Sequence, residues 1–425
     1  MLWKDLKDKK IGIWGYGREG QSAHKAITRF AQPKEIVLID ENNLFLLDEC
    51  DIVVKSPGIS LYRKEITHAR KKGVVFTSCS SLYMSNKSLK TFVISVTGTK
   101  GKSTTASLMY HLLKTAGKDV ALGGNIGIPL LDFLTGNEPD FVVAELSSYQ
   151  CADFVGTSDI AIMTNLFPEH LQWHTSHNQY YTDKCNMIQQ AKISYVNGAC
   201  EQIQMMRHLM PQACVFNVSE TFHIENGYFC YGQTRLMEQK CLNLIGNHNA
   251  ENACAVLSVA YKLGLDISLV REAFLNFQSL PHRLQQIGYY NGLTFVDDSI
   301  STTPETAVAA IQSFDKGQPI TVIVGGMDRG QNFDFLISFI KPIKHRVNLI
   351  TLPETGYKIH EQACLNGLNS YQVKSMSEAV SMAYHITPRN GFVLLSPASP
   401  SYNLYKNFEE RGLDFQRQVL LQKNR

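Results

Sequence analysis

No run of about 18 apolar residues occurs anywhere in the 425-residue sequence, which predicts that no segment crosses a membrane as a helix. Met1-Leu2-Trp3-Lys4-Asp5 lacks the apolar core of a signal segment, so a cytoplasmic protein without a membrane partner is expected. The ten cysteines never fall in C-x-x-C spacing and form no secreted disulfide framework, which points to a reduced compartment. Charge imbalance is missing too. Lys and Arg number 41 against 38 Asp and Glu, a net charge of +3 that gives no basis for a nucleic-acid partner. Internal repeats, low-complexity tracts and heptads are likewise absent. What is present, 44% apolar and 19% charged residues, is the profile of a globular protein long enough for two to three domains.

The most informative stretch is Val96-Thr97-Gly98-Thr99-Lys100-Gly101-Lys102-Ser103-Thr104. It follows the apolar run Thr91 to Val96 and precedes a helical pattern, the strand, glycine-rich loop and helix N-terminus that cradles nucleotide phosphates. Gly98 and Gly101 let backbone N–H groups turn inward as an anion nest, Lys102 can reach β/γ-phosphates, and the Ser103 or Thr104 hydroxyl can ligate Mg²⁺. ATP or GTP is the predicted ligand. Only Thr99 and Lys100 separate the two glycines, so the loop is shorter than G-x-x-x-x-G-K-[ST] and a generic NTPase is too coarse a description.

Strands alternate with helical patterns throughout, which predicts an α/β protein with parallel sheets. Lys10 to Trp14 reads as a strand, followed by Gly15-Tyr16-Gly17-Arg18-Glu19-Gly20, a helix from Gln21, and a second strand ending at Asp40. That is the dinucleotide-fold fingerprint; by itself it favours a phosphate-bearing ligand at the helix N-terminus, NAD or a nucleotide diphosphate alike. Asp51 to Ile59, containing Ser56-Pro57-Gly58, and Val74 to Phe76 add two strands. The polar stretch Tyr83 to Lys90 shows little periodicity and places a boundary, giving domains at 1–90, 91–280 and 281–425. Strands near 293–296, 320–324, 347–351 and 392–395 build the last of these.

In the middle domain, Phe141 to Ala144 ends at Glu145, and Ile160 to Asn165 leads to Glu169 and His170. A carboxylate and an imidazole at strand ends beside a Lys/Ser phosphate loop suit Mg²⁺ bridging ATP oxygens. Zinc at His170, His174 and His177 is rejected for want of a cysteine or further partner at zinc-like spacing.

The ordered series Gly98 to Thr104, Gly123-Gly124-Asn125-Ile126-Gly127, Glu145-Leu146-Ser147-Ser148, Asn165 to His170, Lys184, Gly246 to Asn249, His282-Arg283, Asp298-Ser299 and Tyr405 to Gly412 closely resembles the Mur ligases of peptidoglycan synthesis, and within them the glutamate-adding branch. The resemblance spans nearly the whole chain. It implies a Rossmann-like N-terminal domain, a central P-loop-type ATPase domain with a mainly parallel sheet, and a Rossmann-like C-terminal domain. It implies an enzyme that joins glutamate to UDP-N-acetylmuramoyl-L-alanine through an acyl phosphate at the expense of ATP, with two Mg²⁺ ions and with closure around the ligands; a monomer is expected. By the same resemblance, Gly98 to Thr104 hold ATP phosphates, Asn249 the adenine, and Arg283 with Asp298 the nucleotide. Lys102, Glu145, His170 and Lys184 are catalytic. Ser103 and Glu145 bind one metal ion; His170 and Lys184, carbamylated in relatives downstream of a tyrosine matching Tyr180, bind the other. Gly15, Gly17, Gly20, Asp40, Ser56, Pro57, Gly58 and Asn125 bind the UDP-sugar, and Thr302, Ser401 and Phe408 surround the amino acid.

One departure stands out. Where D-glutamate ligases usually carry Asp-Ser-Lys-Ala-Thr-Asn, this chain has Asp298-Ser299-Ile300-Ser301-Thr302-Thr303. Without that lysine, Arg329 is the candidate cation for a glutamate carboxylate, as a bidentate donor. D-glutamate is expected from the broader family; L-glutamate is the alternative, from a subfamily resembling the Ile-Ser-Thr-Thr-Pro variant. A folylpolyglutamate-synthase-like ligase would not need the first domain. An NAD-dependent dehydrogenase would leave the ATP loop unexplained, and a non-catalytic regulator would not need Glu145, His170 and Lys184.

Overall fold

Ile11 to Trp14 and Ile52 to Val54 are buried on both faces of their strands, which is how a sheet covered by helices on each side must read. They belong to the first of two parallel sheets in one compact unit, Met1–Leu242 with His248–Phe277. The computed structural model describes residues 1–136, 138–314 and 317–423. Strands β1 (Lys10–Trp14), β2 (Glu35–Ile39), β3 (Ile52–Lys55) and β4 (Val75–Thr77) lie in the order β2-β1-β3-β4, all parallel. The second sheet holds β5 (Phe92–Thr97), β6 (Val120–Gly124), β7 (Phe141–Glu145), β8 (Ile160–Met163), β9 (Ile193–Asn197) and β10 (Cys214–Phe216). Their order is β10-β9-β8-β5-β7-β6, again parallel throughout. A single apolar cluster contains Ile11 and Ile13 of the first sheet together with Val93, Val142 and Ala144 of the second, which is why the two sheets share one unit.

Two details differ from the sequence reading. Tyr83 to Asn86 belong to a helix, Cys79–Asn86, in which Cys79 to Met84 are all buried; a helix wrapped on all sides has no polar face and so no periodic signal. The unit also carries an antiparallel three-stranded sheet, β11 (Phe222–Glu225), β12 (Tyr228–Tyr231) and β13 (Thr234–Glu238), beside the otherwise parallel arrangement.

The other unit, Asn243–Asn247 with Gln278–Arg425, is built on β14 (Gln285–Tyr290), β15 (Leu293–Asp297), β16 (Ile320–Val324), β17 (Val347–Thr351), β18 (Asn369–Gln372) and β19 (Phe392–Leu395). The order is β14-β15-β19-β16-β17-β18, parallel except for the edge strand β14. The C-terminal ends of the neighbouring β15, β19 and β16 therefore bring the loops after residues 297, 395 and 324 side by side, where open α/β sheets bind ligands.

Candidate active site

The loop Gly98 to Gly101 leaves β5 and opens the helix Lys102–Thr115, with Gly101 at its N-cap. Both glycines are required by close approach. Their φ angles are +147° and +80°, and a Cβ would lie 2.0 Å from Thr164 Oγ1 at Gly98 and 2.6 Å from Asn252 Oδ1 at Gly101. Because β8 and β7 flank β5, the segments after Met163 and Glu145 run beside this loop. Asn165 donates from Nδ2 to the Lys100 carbonyl at 3.0 Å and accepts from the Lys100 N–H at 2.7 Å. Thr99 Oγ1 meets the Tyr180 hydroxyl at 2.8 Å and accepts from the Phe167 N–H at 2.8 Å. Lys100 pairs with Glu169. A turn held by these bonds is pre-shaped, and the first N–H groups of a helix, which have no partner within it, suit such a turn to an anion.

Lys184, on the helix His177–Gln189, is 1% exposed. Its Nζ donates to the Gly98 carbonyl at 2.7 Å and lies 5.3 Å from the centre of the Tyr180 ring. Burial first, and then the neighbouring Lys102 charge, bring its ammonium down to about 7, because the charged form is what a dry site penalises. Lys102 donates to the Thr99 carbonyl at 2.8 Å.

Glu145, the last residue of β7, is fully buried. Asn125 Nδ2 donates to its Oε1 at 2.7 Å, while Oε2 has no hydrogen-bond donor among the described residues. A buried carboxylate oxygen left so is costly, and a hard divalent cation is the group that satisfies it. Mg²⁺ therefore fits the donors present: Glu145 and Ser103 at the helix start, with His170 beyond. His170 is half-exposed, packs against Tyr149 with the rings tilted and their centres 5.1 Å apart, and adopts φ +55°. Partial burial, together with the Lys102 and Lys184 charges, holds its imidazole below the ordinary value against the opposing pull of Glu169.

In the first sheet, Ser56 Oγ donates to the Gly15 carbonyl at 2.7 Å, so the glycine turn Gly15 to Gly20 and the Ser56-Pro57-Gly58 turn are joined; Asp40 is exposed at the end of β2. Asn249 is buried on the helix Asn247–Lys262, three residues before the Asn252 that backs Gly101.

The other unit has its own cluster. Asp298 accepts from the Leu284 N–H at 3.1 Å, from Ser396 Oγ at 2.9 Å and from Ser301 Oγ; burial lifts its carboxyl to about 7 against those donors. Arg283 sits between His282 and Leu284, both with positive φ. Arg329 lies over the Tyr402 ring at 5.3 Å, next to Ser401. The Phe408 carbonyl accepts from Ser299 Oγ at 2.8 Å, and Thr302 follows on the same loop as Ser299. Arg411, 2% exposed, ties these loops together by donating to the Ser299 carbonyl at 2.8 Å, Ser299 Oγ at 3.0 Å and the Ser399 carbonyl at 3.0 Å. Its role was not read from the sequence, although the motif Tyr405 to Gly412 contains it.

The family model for the Mur ligase middle domain matches residues 96–260. A UDP-N-acetylmuramoyl-L-alanine--L-glutamate ligase from Micromonospora sp. is 36% identical, covering 97% of this chain and 96% of that one. The chain belongs to the Mur ligase family. It is accordingly a ligase. Ligases of the same printed name from Salinispora tropica, at 36% identity over 99% of both chains, and Xylella fastidiosa, at 34% over 96% and 95%, are similar along their whole length. Among solved structures, UDP-N-acetylmuramate-alanine ligase MurC from Thermotoga maritima superposes with a TM-score of 0.60 at 19% identity, covering 98% of this chain and 100% of that one. MurF from the same organism, in complex with ADP, does so at 0.58 and 14%, covering 99% and 97%. These likenesses show the fold.

Proposed function

We propose that this chain joins L-glutamate to UDP-N-acetylmuramoyl-L-alanine with cleavage of ATP, acting as a cytoplasmic monomer on small-molecule substrates, its domains divided at 1–90, 91–280 and 281–425. The observation that carries the reading is the buried Lys184 amine on the Gly98 carbonyl, within electrostatic reach of a buried Glu145 whose Oε2 has no hydrogen-bond donor among the described residues. The L-hand is supported by the names of the similar full-length ligases and by Ile300 standing where D-glutamate ligases usually have lysine; it replaces the D-glutamate expected from the broader family.

Gly98 to Thr104 hold the ATP phosphates, Asn249 the adenine, and Arg283 with Asp298 the rest of the nucleotide. Gly15, Gly17, Gly20, Asp40, Ser56, Pro57 and Gly58 hold the UDP-sugar, and Asn125 its acyl end. Glu145 and Ser103 would hold one Mg²⁺, His170 and a carbamylated Lys184 a second; bound there, the ions supply charge neutralisation at phosphate oxygens. An amine whose pKa is near 7 is substantially neutral, which is the form that adds CO₂, giving R–NH–CO₂⁻ and releasing a proton. The substrate's terminal carboxylate attacks the γ-phosphorus, ADP departs, and an acyl phosphate results. Glutamate's amino nitrogen then attacks the acyl carbon, phosphate leaves, and the amine loses a proton as the amide forms. Lys102 offsets the charge on the transferring phosphoryl group, and the chain's task is otherwise to position the reactants.

Arg329, Thr302, Ser401 and Phe408 hold the glutamate. Arg329→Ala is expected to raise the glutamate KM by about 10- to 100-fold, the worth of a charge-assisted pair, with the ATP KM unchanged. Steady-state kinetics with glutamate varied checks this; an unchanged glutamate KM would remove Arg329 from the site. The overall reading is tested by ADP and phosphate release that requires all three substrates.

A further inference from the structure

Ser148, His174 and Asp183 form a hydrogen-bonded row, with Ser148 Oγ 2.9 Å from His174 Nε2 and His174 Nδ1 2.5 Å from Asp183 Oδ2. These are the residue types of a hydrolytic triad, but burial forbids that role. Exposure is 4% for Ser148, 0% for His174 and 5% for Asp183, and Tyr149 stacks on the imidazole at 5.6 Å, so no substrate can reach the serine. What the row does is connect. Ser148 follows Glu145 by three residues. Asp183 directly precedes Lys184 on its helix. The second Asp183 oxygen, Oδ1, accepts from the Tyr62 hydroxyl at 2.5 Å and from Gln179 Nε2 at 2.9 Å.

Tyr62 belongs to the segment that leaves the Ser56-Pro57-Gly58 turn, and that segment is fastened again one residue before His174. Trp173 Nε1 donates to the Pro57 carbonyl at 3.1 Å, and Ser60 Oγ donates to the Trp173 carbonyl at 2.6 Å. A carboxylate has only two oxygens; Asp183 spends one on the His174 that orients Ser148 and the other on Tyr62, so moving either neighbour moves the helix turn that carries Lys184. Buried networks with every member satisfied act as rigid units.

We propose that Tyr62, His174 and Asp183 are positioning residues which couple the UDP-sugar turn at Pro57 and Gly58 to the Glu145 and Lys184 side chains, so that seating the UDP-sugar fixes those two groups for the reaction. The proposal rests on the function given above. Displacement of a reacting group by about 1 Å can cost on the order of 100-fold in rate, so a network that fixes Lys184 bears on turnover without touching substrate.

The test is a double-mutant cycle in the full-length enzyme, with KM for UDP-N-acetylmuramoyl-L-alanine, KM for ATP, kcat and melting temperature measured for each form. Tyr62→Phe keeps the ring and removes one O–H; it is expected to raise the UDP-sugar KM about tenfold, as loss of a hydrogen bond to a charged group does, with the ATP KM within about twofold. Asp183→Asn is expected to lower kcat about tenfold or more, and on that background Tyr62→Phe changes the UDP-sugar KM less than about twofold. If Asp183→Asn does not fold, His174→Gln takes its place in the cycle. An unchanged UDP-sugar KM in Tyr62→Phe, additive effects, or a fall in melting temperature with all kinetic constants changed alike would each overturn the coupling. Failure of the wild-type enzyme to turn over the UDP-sugar would instead overturn the function on which it rests, and the coupling with it.

Discussion

Lys184→Met is expected to lower kcat by at least about three orders of magnitude, the scale of losing a charged group at a phosphoryl-transfer centre, while the protein stays folded. The linear apolar side chain fills the space beside Tyr180, so no cavity of consequence opens. Stability should change in a way that loss of activity through misfolding would not. The native pKa of Lys184 is depressed to about 7 from 10.5. Above the higher value the amine is neutral in folded and unfolded chains alike; as pH falls through the interval between the two, the unfolded chain takes up a proton that the folded chain refuses, and the wild type loses stability. Below about 7 the penalty is fully present. In CO₂-depleted buffer, Lys184→Met should therefore be more stable than wild type at pH 7 and below, with the gap narrowing towards pH 10. Thermal unfolding across that range checks the sign, and a gap that widened with rising pH would contradict the buried-amine account. With ¹³C-bicarbonate, the wild type should show a carbamate carbon resonance that Lys184→Met lacks.

Glu145→Gln should lower kcat by about two to three orders of magnitude and raise the Mg²⁺ concentration for half-maximal activity about tenfold or more, as losing a charged metal contact does. Asn125 Nδ2 can still donate to the amide oxygen, which then leaves the new NH₂ where Oε2 stood and turns an acceptor for a cation into a donor. Because the substitution also removes a buried negative charge, the melting temperature should hold or rise. Full activity at unchanged Mg²⁺ dependence would take Glu145 out of the metal site.

The turn from Gly98 to the helix at Lys102 was legible because its requirements are local: Gly98 and Gly101 stand where a Cβ would strike Thr164 or Asn252, and the lysine and hydroxyls follow in fixed spacing. Glu145 at the end of β7 was legible because a strand end is marked by the close of an apolar run, whereas His170 stands beyond the end of β8, at the N-cap of the helix Leu171–His174. Lys184 could be reached only through a family pattern, since nothing local distinguishes it from a lysine on a helix surface; its burial comes from packing under the loop. The Ser148, His174, Asp183 and Tyr62 network was out of reach for a related reason. Tyr62 and Asp183 are 121 residues apart, and no periodicity announces a pairing made by the fold. The spacing of His174 in the sequence gives no sign of the carboxylate, nine residues on, that it meets in the fold. Arg411 lies within the Tyr405 to Gly412 motif, yet its task of holding two loops by their carbonyls is a fact of tertiary structure.

The most direct measurement is release of ADP and phosphate by the purified enzyme given ATP, Mg²⁺ and UDP-N-acetylmuramoyl-L-alanine, with L-glutamate or D-glutamate in parallel and each component omitted in turn. Turnover that needs every component and proceeds with L-glutamate but not D-glutamate is the predicted result. Turnover with D-glutamate alone would make Ile300 a tolerated replacement and contradict the L-specificity, and turnover with neither would contradict the substrate assignment itself.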